Sequence, residues 1–167
     1  MTSLSVAMMR CKKTRFDEDA SGRIDMFSTA VTQSVAMMKH VPADLHMVVA
    51  PEYFFSPIDE IGQRYKQDGP TAMTRGAKHD LYGELEKVSK KAGNTILVAG
   101  SIYYKKGKNN VRGLNVCPVL CQGKFLHKYY KKFDDGALNK GIAGASYEHK
   151  KSDPVFKKDG VTFGIEV

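Results

Sequence analysis

The sequence has 167 residues, of which 42% are hydrophobic and 26% are charged, and its formal net charge is +8. These values are typical of one soluble globular domain and exclude an intrinsically disordered chain. No apolar run approaches the ~20 residues of a membrane-spanning helix. The basic residues Arg10, Lys12 and Lys13 follow the first apolar stretch, whereas in a signal peptide they precede it. We therefore expect a cytoplasmic protein that has no membrane partner.

Strand and helix patterns alternate in the first half of the chain. Residues 3–9 form a strand candidate, and apolar residues at helical spacing predict an amphipathic helix over residues 23–39, with Ser21 as its N-cap. The valine-rich run 46–50 predicts a buried strand that ends at Pro51-Glu52.

A polar loop follows at residues 56–70, and a second helix is predicted over residues 71–92, with Gly93-Asn94 as its stop signal. Residues 95–104 predict another apolar strand.

Further strands are predicted toward the C-terminus. Residues 111–121 and 124–131 form a pair joined at Gln122-Gly123, and Pro118 indicates an edge or a bulge in the first of them. Residues 134–153 have a loop-like composition, and the alternating residues 161–167 predict a final strand. The pattern indicates one α/β layered domain over residues 1–167. We expect it to be incomplete at its C-terminus, because a terminal apolar strand would expose an open edge.

The cysteines and histidines do not indicate a scaffold or a metal site. Cys117 and Cys121 on one strand would lie about 13 Å apart, too far for a disulfide, and with Cys11 they make three cysteines in all. The five histidines lack metal-ligand spacing and no Cys-x-x-Cys pair is present, so the spacing gives no indication of a metal site. The basic charge keeps nucleic acid as an alternative partner beside a simple solvated surface.

Two charged residues occupy positions that suit catalysis. Glu52 directly follows a buried strand, where ligands bind in α/β sheets, and a carboxylate flanked there by aromatic residues would be partly desolvated and suited to a general base. Lys131 lies among aromatic residues at a strand end, where its charge would stabilise an oxyanion. Taken singly, each has a simpler explanation, as an exposed loop carboxylate or a solvated basic strand. Lysines and tyrosines interleaved on a strand also fit nucleic-acid binding.

Four segments that occur together in one order favour the catalytic interpretation over the simpler explanations. They are residues 50–54 (APEYF), 96–101 (ILVAGS), 123–131 (GKFLHKYYK) and 160–167 (GVTFGIEV). The ordered set resembles the nitrilase superfamily. There a Pro-Glu pair after a strand supplies a catalytic glutamate, a strand ending in Gly-Ser follows, a Gly-x-x-x-x-x-Tyr-x-Lys stretch supplies a catalytic lysine, and a glycine-containing strand leads into the catalytic cysteine.

The resemblance implies a four-layer α-β-β-α sandwich, of which this chain is the first portion. It also implies a carbon–nitrogen hydrolase, amidase-like, that acts on a small amide or nitrile without a cofactor. Glu52 would be the general base and Lys131 the oxyanion-stabilising residue. The nucleophilic cysteine would directly follow Val167, so we expect the 167 residues alone to be inactive.

Several assignments within the resemblance stay open. Lys128 and Lys132 compete with Lys131 if the register differs. Glu148 is the candidate for the family's second catalytic glutamate, with Asp134 and Asp135 as alternatives.

Partners and alternative functions complete the expectations. Cys117 and Cys121 are expected to be small core residues. Members of the family commonly dimerise, which implies a homodimer or a higher homo-oligomer. Two hypotheses from other classes remain: a catalytically inactive protein on the same fold, and a basic nucleic-acid-binding module that uses residues 127–132. A residue other than cysteine after Val167 would favour the first, and strongly salt-dependent affinity for oligonucleotides would favour the second.

Overall fold

The computed structural model describes residues 2–10, 20–52, 54–55, 73–106, 112–131, 146–147 and 151–165. These residues form two helices and nine strands. In chain order the elements are β1 (Leu4–Met8), α1 (Ala20–Met38), β2 (Leu45–Val49), α2 (Arg75–Lys91), β3 (Ile96–Val98), β4 (Ile102–Lys106), β5 (Arg112–Cys121), β6 (Lys124–Tyr130), β7 (Ser146–Tyr147), β8 (Val155–Lys158) and β9 (Val161–Gly164).

Seven of the strands form one mixed sheet. Strands β1, β2 and β3 run parallel, so that Val48 lies between Ala7 and Leu97. Strand β5 is antiparallel to β3 and β4 along one side and to β6 along the other. The short strand β7 pairs with the start of β5, and β8 and β9 form a separate hairpin.

The sheet has an apolar core on each face. Alternate residues of one strand point to opposite faces, so Val48 joins one core while its neighbour Met47 joins the other. Helices α1 and α2 cover the first face through residues such as Phe27 and Leu85. The β8–β9 hairpin covers part of the second face through Phe156. Burial on both faces explains why β2 and β3 are nearly continuous apolar runs.

The helix predictions are right in type and wrong at their starts. Helix α1 begins at Ala20, so Ser21 lies inside the helix and is not its N-cap. Helix α2 begins at Arg75 rather than at residue 71, because the Thr74 hydroxyl accepts a hydrogen bond from the Ala77 amide and caps the first turn. Met73, just before this cap, makes a β-bridge with Tyr104.

The strand predictions differ from the structure in three places. Residues 95–104 form two strands, not one, because Gly100 has a φ of 71° and bends the chain between β3 and β4. The predicted loop 134–153 contains the short strand β7. Strand β8 was not predicted, although the Asp159-Gly160 turn that joins it to β9 is a strong hairpin signal.

The hairpin at Gln122-Gly123 is confirmed, and both residues have positive φ values, 53° and 75°. The bulge predicted from Pro118 is also present, as a register shift between Val119 and Leu120. The edge-strand alternative is wrong, since β5 is paired along both sides. Proline is tolerated because it faces the bend between β3 and β4, where its carbonyl accepts the Ala99 amide at 3.1 Å.

The predicted α/β class is confirmed. The described residues provide a helical layer, the seven-stranded sheet and a hairpin on the opposite face. The four-layer arrangement as a whole stays a prediction. Neither described helix combines the length and the hydropathy that a bilayer-spanning helix needs.

Candidate functional site

The turn after β2 carries Glu52 and is anchored to α1. The chain leaves β2 with the Ala50 amide donating to the Val98 carbonyl at 2.8 Å, which ties the start of the turn to β3. Beyond Glu52, the rings of Phe54 and Phe55 are buried against each other with centroids 4.9 Å apart. They fix the far end of the turn, so its position is set by the hydrophobic core rather than by a surface loop.

Helix α1 holds the same turn from the other side. The Phe27 ring lies 5.5 Å from that of Phe55 and 5.9 Å from that of Phe54. The buried Arg23 donates from Nη1 to the Phe54 carbonyl at 2.8 Å. A charged donor satisfies a carbonyl that the turn would otherwise bury unpaired.

Gly100 lets the turn approach the sheet closely. A Cβ atom at this position would lie 2.2 Å from the Pro51 carbonyl oxygen, and the φ of 71° is one that other residues rarely adopt. The backbone next to Glu52 therefore packs directly on the bend between β3 and β4. A single glycine within an apolar run is a sequence signal for close backbone approach, and it identifies Gly100 as part of the site.

Lys131 reaches the same place from the end of β6. Its backbone amide donates to the Asn115 carbonyl at 3.0 Å, which extends the β5–β6 ladder by one pair. Its side-chain Nζ lies 2.9 Å from Oε1 of Glu52, forming a hydrogen-bonded ion pair between residues 79 positions apart. The lysine side chain is 11% exposed and the glutamate side chain 38% exposed. The lysine side chain is thus largely sheltered, whereas the glutamate side chain is open toward solvent.

Glu52, one member of the pair, lines an open cavity of about 500 Å³ between the sheet and the β8–β9 hairpin. Glu52 and Ser101 line it beside largely apolar walls. The remaining lining residues are Met47, Val49, Ala50, Val98, Gly100, Cys117, Phe156, Phe163, Gly164 and Ile165. A charged pair beside an apolar cavity is suited to bind a small molecule with one polar group and to act on that group.

Cys117 is a cavity residue that the sequence assigned only to the core. It is buried, as predicted, but it also lines the cavity beside Glu52. Burial raises the pKa of its thiol to about 12, and the negative charge of Glu52 adds to the effect. The thiol is therefore neutral at physiological pH and is a poor nucleophile. Cys121 is a buried free cysteine as well.

The structure brings together Glu52 and Lys131 and separates Lys128 from them. Lys128 lies on the helix-covered face, where its Nζ sits 3.8 Å above the Phe125 ring and 4.6 Å from that of Tyr82. Ile165, near the end of the last predicted strand, lines the cavity. The other assigned residues, Lys132, Asp134, Asp135, Glu148 and Val167, lie outside the described residues.

Comparisons with solved structures find the same architecture. Saccharomyces cerevisiae Nit3, a member of branch 10 of the nitrilase superfamily, matches with a TM-score of 0.60 and 20% identity over 89% of this chain and 49% of its own. An amidase from Nesterenkonia sp. AN1, solved as a mutant with acrylamide added at its active site cysteine, matches with a TM-score of 0.61 and 13% identity over 99% of this chain and 57% of its own. The C. elegans NitFhit protein matches with a TM-score of 0.56 and 13% identity over 93% of this chain and 35% of its own.

No protein-family model and no curated protein matches the sequence. The chain spans about half the length of the first two structures that it resembles. At such low identities the likeness establishes the fold. This chain therefore has the fold of the nitrilase superfamily over the portion of that fold that it spans.

Proposed function

We propose that this chain carries the base and the oxyanion-stabilising lysine of a carbon–nitrogen hydrolase. The observation that supports this most directly is the 2.9 Å contact between Glu52 and Lys131 beside an apolar cavity. The sequence resemblance pairs these two residues before any distance is known, and they come from strands far apart in the chain. The nitrilase-type fold of the structural neighbours supports the same class of reaction.

The proposed reaction is acyl transfer to a cysteine thiol that follows Val167 in the full-length protein. Glu52 takes the thiol proton, and the thiolate attacks the carbonyl carbon of an amide. The negative charge that develops on the carbonyl oxygen is stabilised by the ammonium of Lys131. The carbon–nitrogen bond then breaks, and Glu52 returns the proton to the leaving amine. Glu52 next takes a proton from water, and the hydroxide cleaves the thioester to release the acid. Glu52 then returns that proton to the departing thiolate, which regenerates the thiol and the free base.

The exposures of the two side chains suit these roles. Lys131 is largely shielded from water, so its charge acts through a medium of lower dielectric constant and stabilises an oxyanion more strongly. Glu52 remains accessible, as a group that exchanges protons with substrate and water must be. Ile165 at the cavity wall supports the expectation that the residue after Val167 lies near this pair.

The alternative of a nucleic-acid-binding strand is weakened by the contacts of residues 127–131. Tyr129 and Tyr130 are buried, so neither ring is available to stack on a base. The His127 ring stacks on Phe156, and Lys128 covers the Phe125 ring. The protein itself engages these groups.

The test is hydrolysis of a panel of small amides, carbamoyl amino acids and nitriles by the full-length protein. Replacing Glu52 by Gln or Lys131 by Met should each lower kcat by about 100-fold or more, as the loss of a general base or an oxyanion donor does. The matched control is Lys128→Met, which removes a lysine of β6 that lies on the opposite face of the sheet from Lys131. Loss of activity in this control with retention in Lys131→Met would reassign the catalytic lysine.

The inactive-protein hypothesis has its own test. A codon after Val167 that does not encode cysteine, together with no hydrolysis of any substrate in the panel, would contradict the proposed function and favour it. The predicted homodimer is a proposal as well. Sedimentation analysis of the full-length protein, which gives its mass in solution, tests it.

A further inference from the structure

Arg23 is a buried charged residue that the proposed reaction does not use. The residue is 3% exposed and lies at the end of the first turn of α1. Burial of a guanidinium is unfavourable, and the positive end of the helix dipole adds to the penalty at this position. A methionine would fill a similar space without either penalty. The charge therefore indicates a role that an apolar side chain could not perform.

The guanidinium holds the peptide that follows Glu52. Its Nη1 donates to the Phe54 carbonyl at 2.8 Å, which joins residues 31 positions apart in the chain. Phe27, one helical turn after Arg23, places its ring 5.9 Å from the Phe54 ring. Helix α1 thus binds the same residue by its backbone and by its side chain, two positions beyond Glu52.

The two contacts restrain the turn in different ways. Ring packing resists separation of the turn from the helix but is not directional, whereas the planar guanidinium fixes the direction in which the Phe54 carbonyl points. The residues before Glu52 are already fixed to the sheet, through the Ala50 amide and the close approach of Pro51 to Gly100. The orientation of the Phe54 peptide therefore sets the remaining freedom of the turn, and with it the place of the Glu52 carboxylate.

We propose that Arg23 positions Glu52 by holding the Phe54 carbonyl from the helix-covered side of the sheet. This inference rests on the proposed function, in which the Glu52 carboxylate must reach a thiol proton and also stay beside Lys131. A misplacement of about 1 Å can lower a rate by about 100-fold, and a shift of that size would also break the 2.9 Å contact with Lys131. Arg23 belongs to α1, across the sheet from the cavity, so it is a positioning residue that acts through the backbone of the turn.

The experiment measures the coupling between Glu52 and Lys131 by urea unfolding of the full-length protein, with and without the Arg23 guanidinium. With Arg23 present, the effect of Glu52→Gln and Lys131→Met together on the unfolding equilibrium constant should differ about fivefold from the product of their single effects. In an Arg23→Met background this coupling factor should fall below about twofold, because the turn no longer holds the carboxylate in place. The matched control is Val31→Ala, which truncates a buried residue about 12 Å further along the same helix and should leave the coupling factor at about fivefold.

A second variant and a kinetic measurement complete the test. Arg23→Lys keeps the charge but not the planar fork, so it should lower the coupling factor by less than Arg23→Met does, and it keeps the experiment available if the methionine variant does not fold. In hydrolysis of the amide panel, Arg23→Met should lower kcat about tenfold while KM changes by less than about twofold. Val31→Ala should leave both constants unchanged.

The inference is overturned if the Arg23 variants leave the coupling factor unchanged, or if Val31→Ala lowers it as much as they do. An equal loss of kcat in Val31→Ala would show a general effect of destabilisation and would overturn it as well. Unfolding needs no turnover, so a protein that hydrolyses none of the test substrates refutes the proposed function, and the coupling factor still decides whether Arg23 holds Glu52 beside Lys131.

Discussion

The two partners of the Glu52–Lys131 ion pair should not be equally costly to remove. Glu52→Gln leaves an ammonium whose side chain is 11% exposed, and Lys131→Met leaves a carboxylate whose side chain is 38% exposed. Water solvates the second charge far better than the first. We therefore predict that the glutamate substitution destabilises the protein more than the lysine substitution.

The exposed fractions of the two side chains also set the expected free-energy cost of each substitution. Exposed ion pairs contribute about 0.2–1 kcal/mol, and breaking a fully buried pair costs about 3–5 kcal/mol. Lys131 lies near the buried limit and Glu52 between the two, because solvent screens more than a third of its surface. We expect a cost of about 2 kcal/mol for Glu52→Gln and about 1 kcal/mol for Lys131→Met, whose apolar stem preserves the packing. The double variant should cost about 1 kcal/mol less than the sum of the two.

Urea unfolding of the unsubstituted protein and the three variants measures all four free energies. The slopes of the unfolding transitions should agree, so that differences in midpoint report stability alone. A greater cost for Lys131→Met than for Glu52→Gln would refute the reasoning from exposure. Strictly additive substitutions would show that the 2.9 Å contact contributes nothing to stability.

Three further predictions concern single positions. Gly100→Ala should lower the free energy of unfolding by about 3 kcal/mol or more, because its Cβ would meet the Pro51 carbonyl. The control Gly93→Ala, with a similar φ of 64° and open space around it, should cost about 1 kcal/mol. Equal costs in thermal unfolding would contradict the close approach. From pH 9 toward pH 12 the Cys117 thiol ionises in the unfolded protein, whereas the folded thiol, with its pKa raised to about 12, stays neutral, so stability falls as pH rises. Urea unfolding should show a shallower decline with pH in Cys117→Ala. Parallel declines would argue against burial as the cause. Thr74→Ala should lower stability by about 1 kcal/mol in urea unfolding through loss of the N-cap of α2, and an unchanged midpoint would mean that the cap contributes nothing.

The sequence predicts those parts of the fold that depend on short-range patterns. The valines of β2 and the Gln122-Gly123 turn before β6 identify strands whose ends carry Glu52 and Lys131. The 2.9 Å contact between the two residues cannot be predicted in this way, because it depends on the pairing of β3 with the C-terminal half of β5. No local periodicity specifies that pairing. Only the resemblance to a family, read from the order of four segments, predicted that the two residues meet.

Other parts of the site had weaker signals or none. The split of one apolar run into β3 and β4 depends on the backbone conformation of Gly100, which composition alone does not reveal. Cys117 faces the cavity because alternate residues of β5 point to opposite faces of the sheet. The sequence does not show which of the two faces borders the cavity. The side chain of Asn115 is buried and makes no hydrogen bond to any residue that the structure describes, and this is invisible in sequence because an asparagine in a strand gives no indication of its partners.

The bend at Gly100 accounts for several features of the site at once. It separates β3 from β4, which gives the backbone of the turn after β2 room to approach the sheet. It also lets β5 contain Pro118 opposite the gap between β3 and β4. A regular strand there would require an amide donor from the proline and would displace the Pro51 carbonyl from its contact. Glu52 would then move outward while Lys131, fixed by its backbone bond to β5, stayed in place. The 2.9 Å contact therefore depends on an interruption of the sheet, so Gly100→Ala should weaken the Glu52–Lys131 coupling as well as the fold.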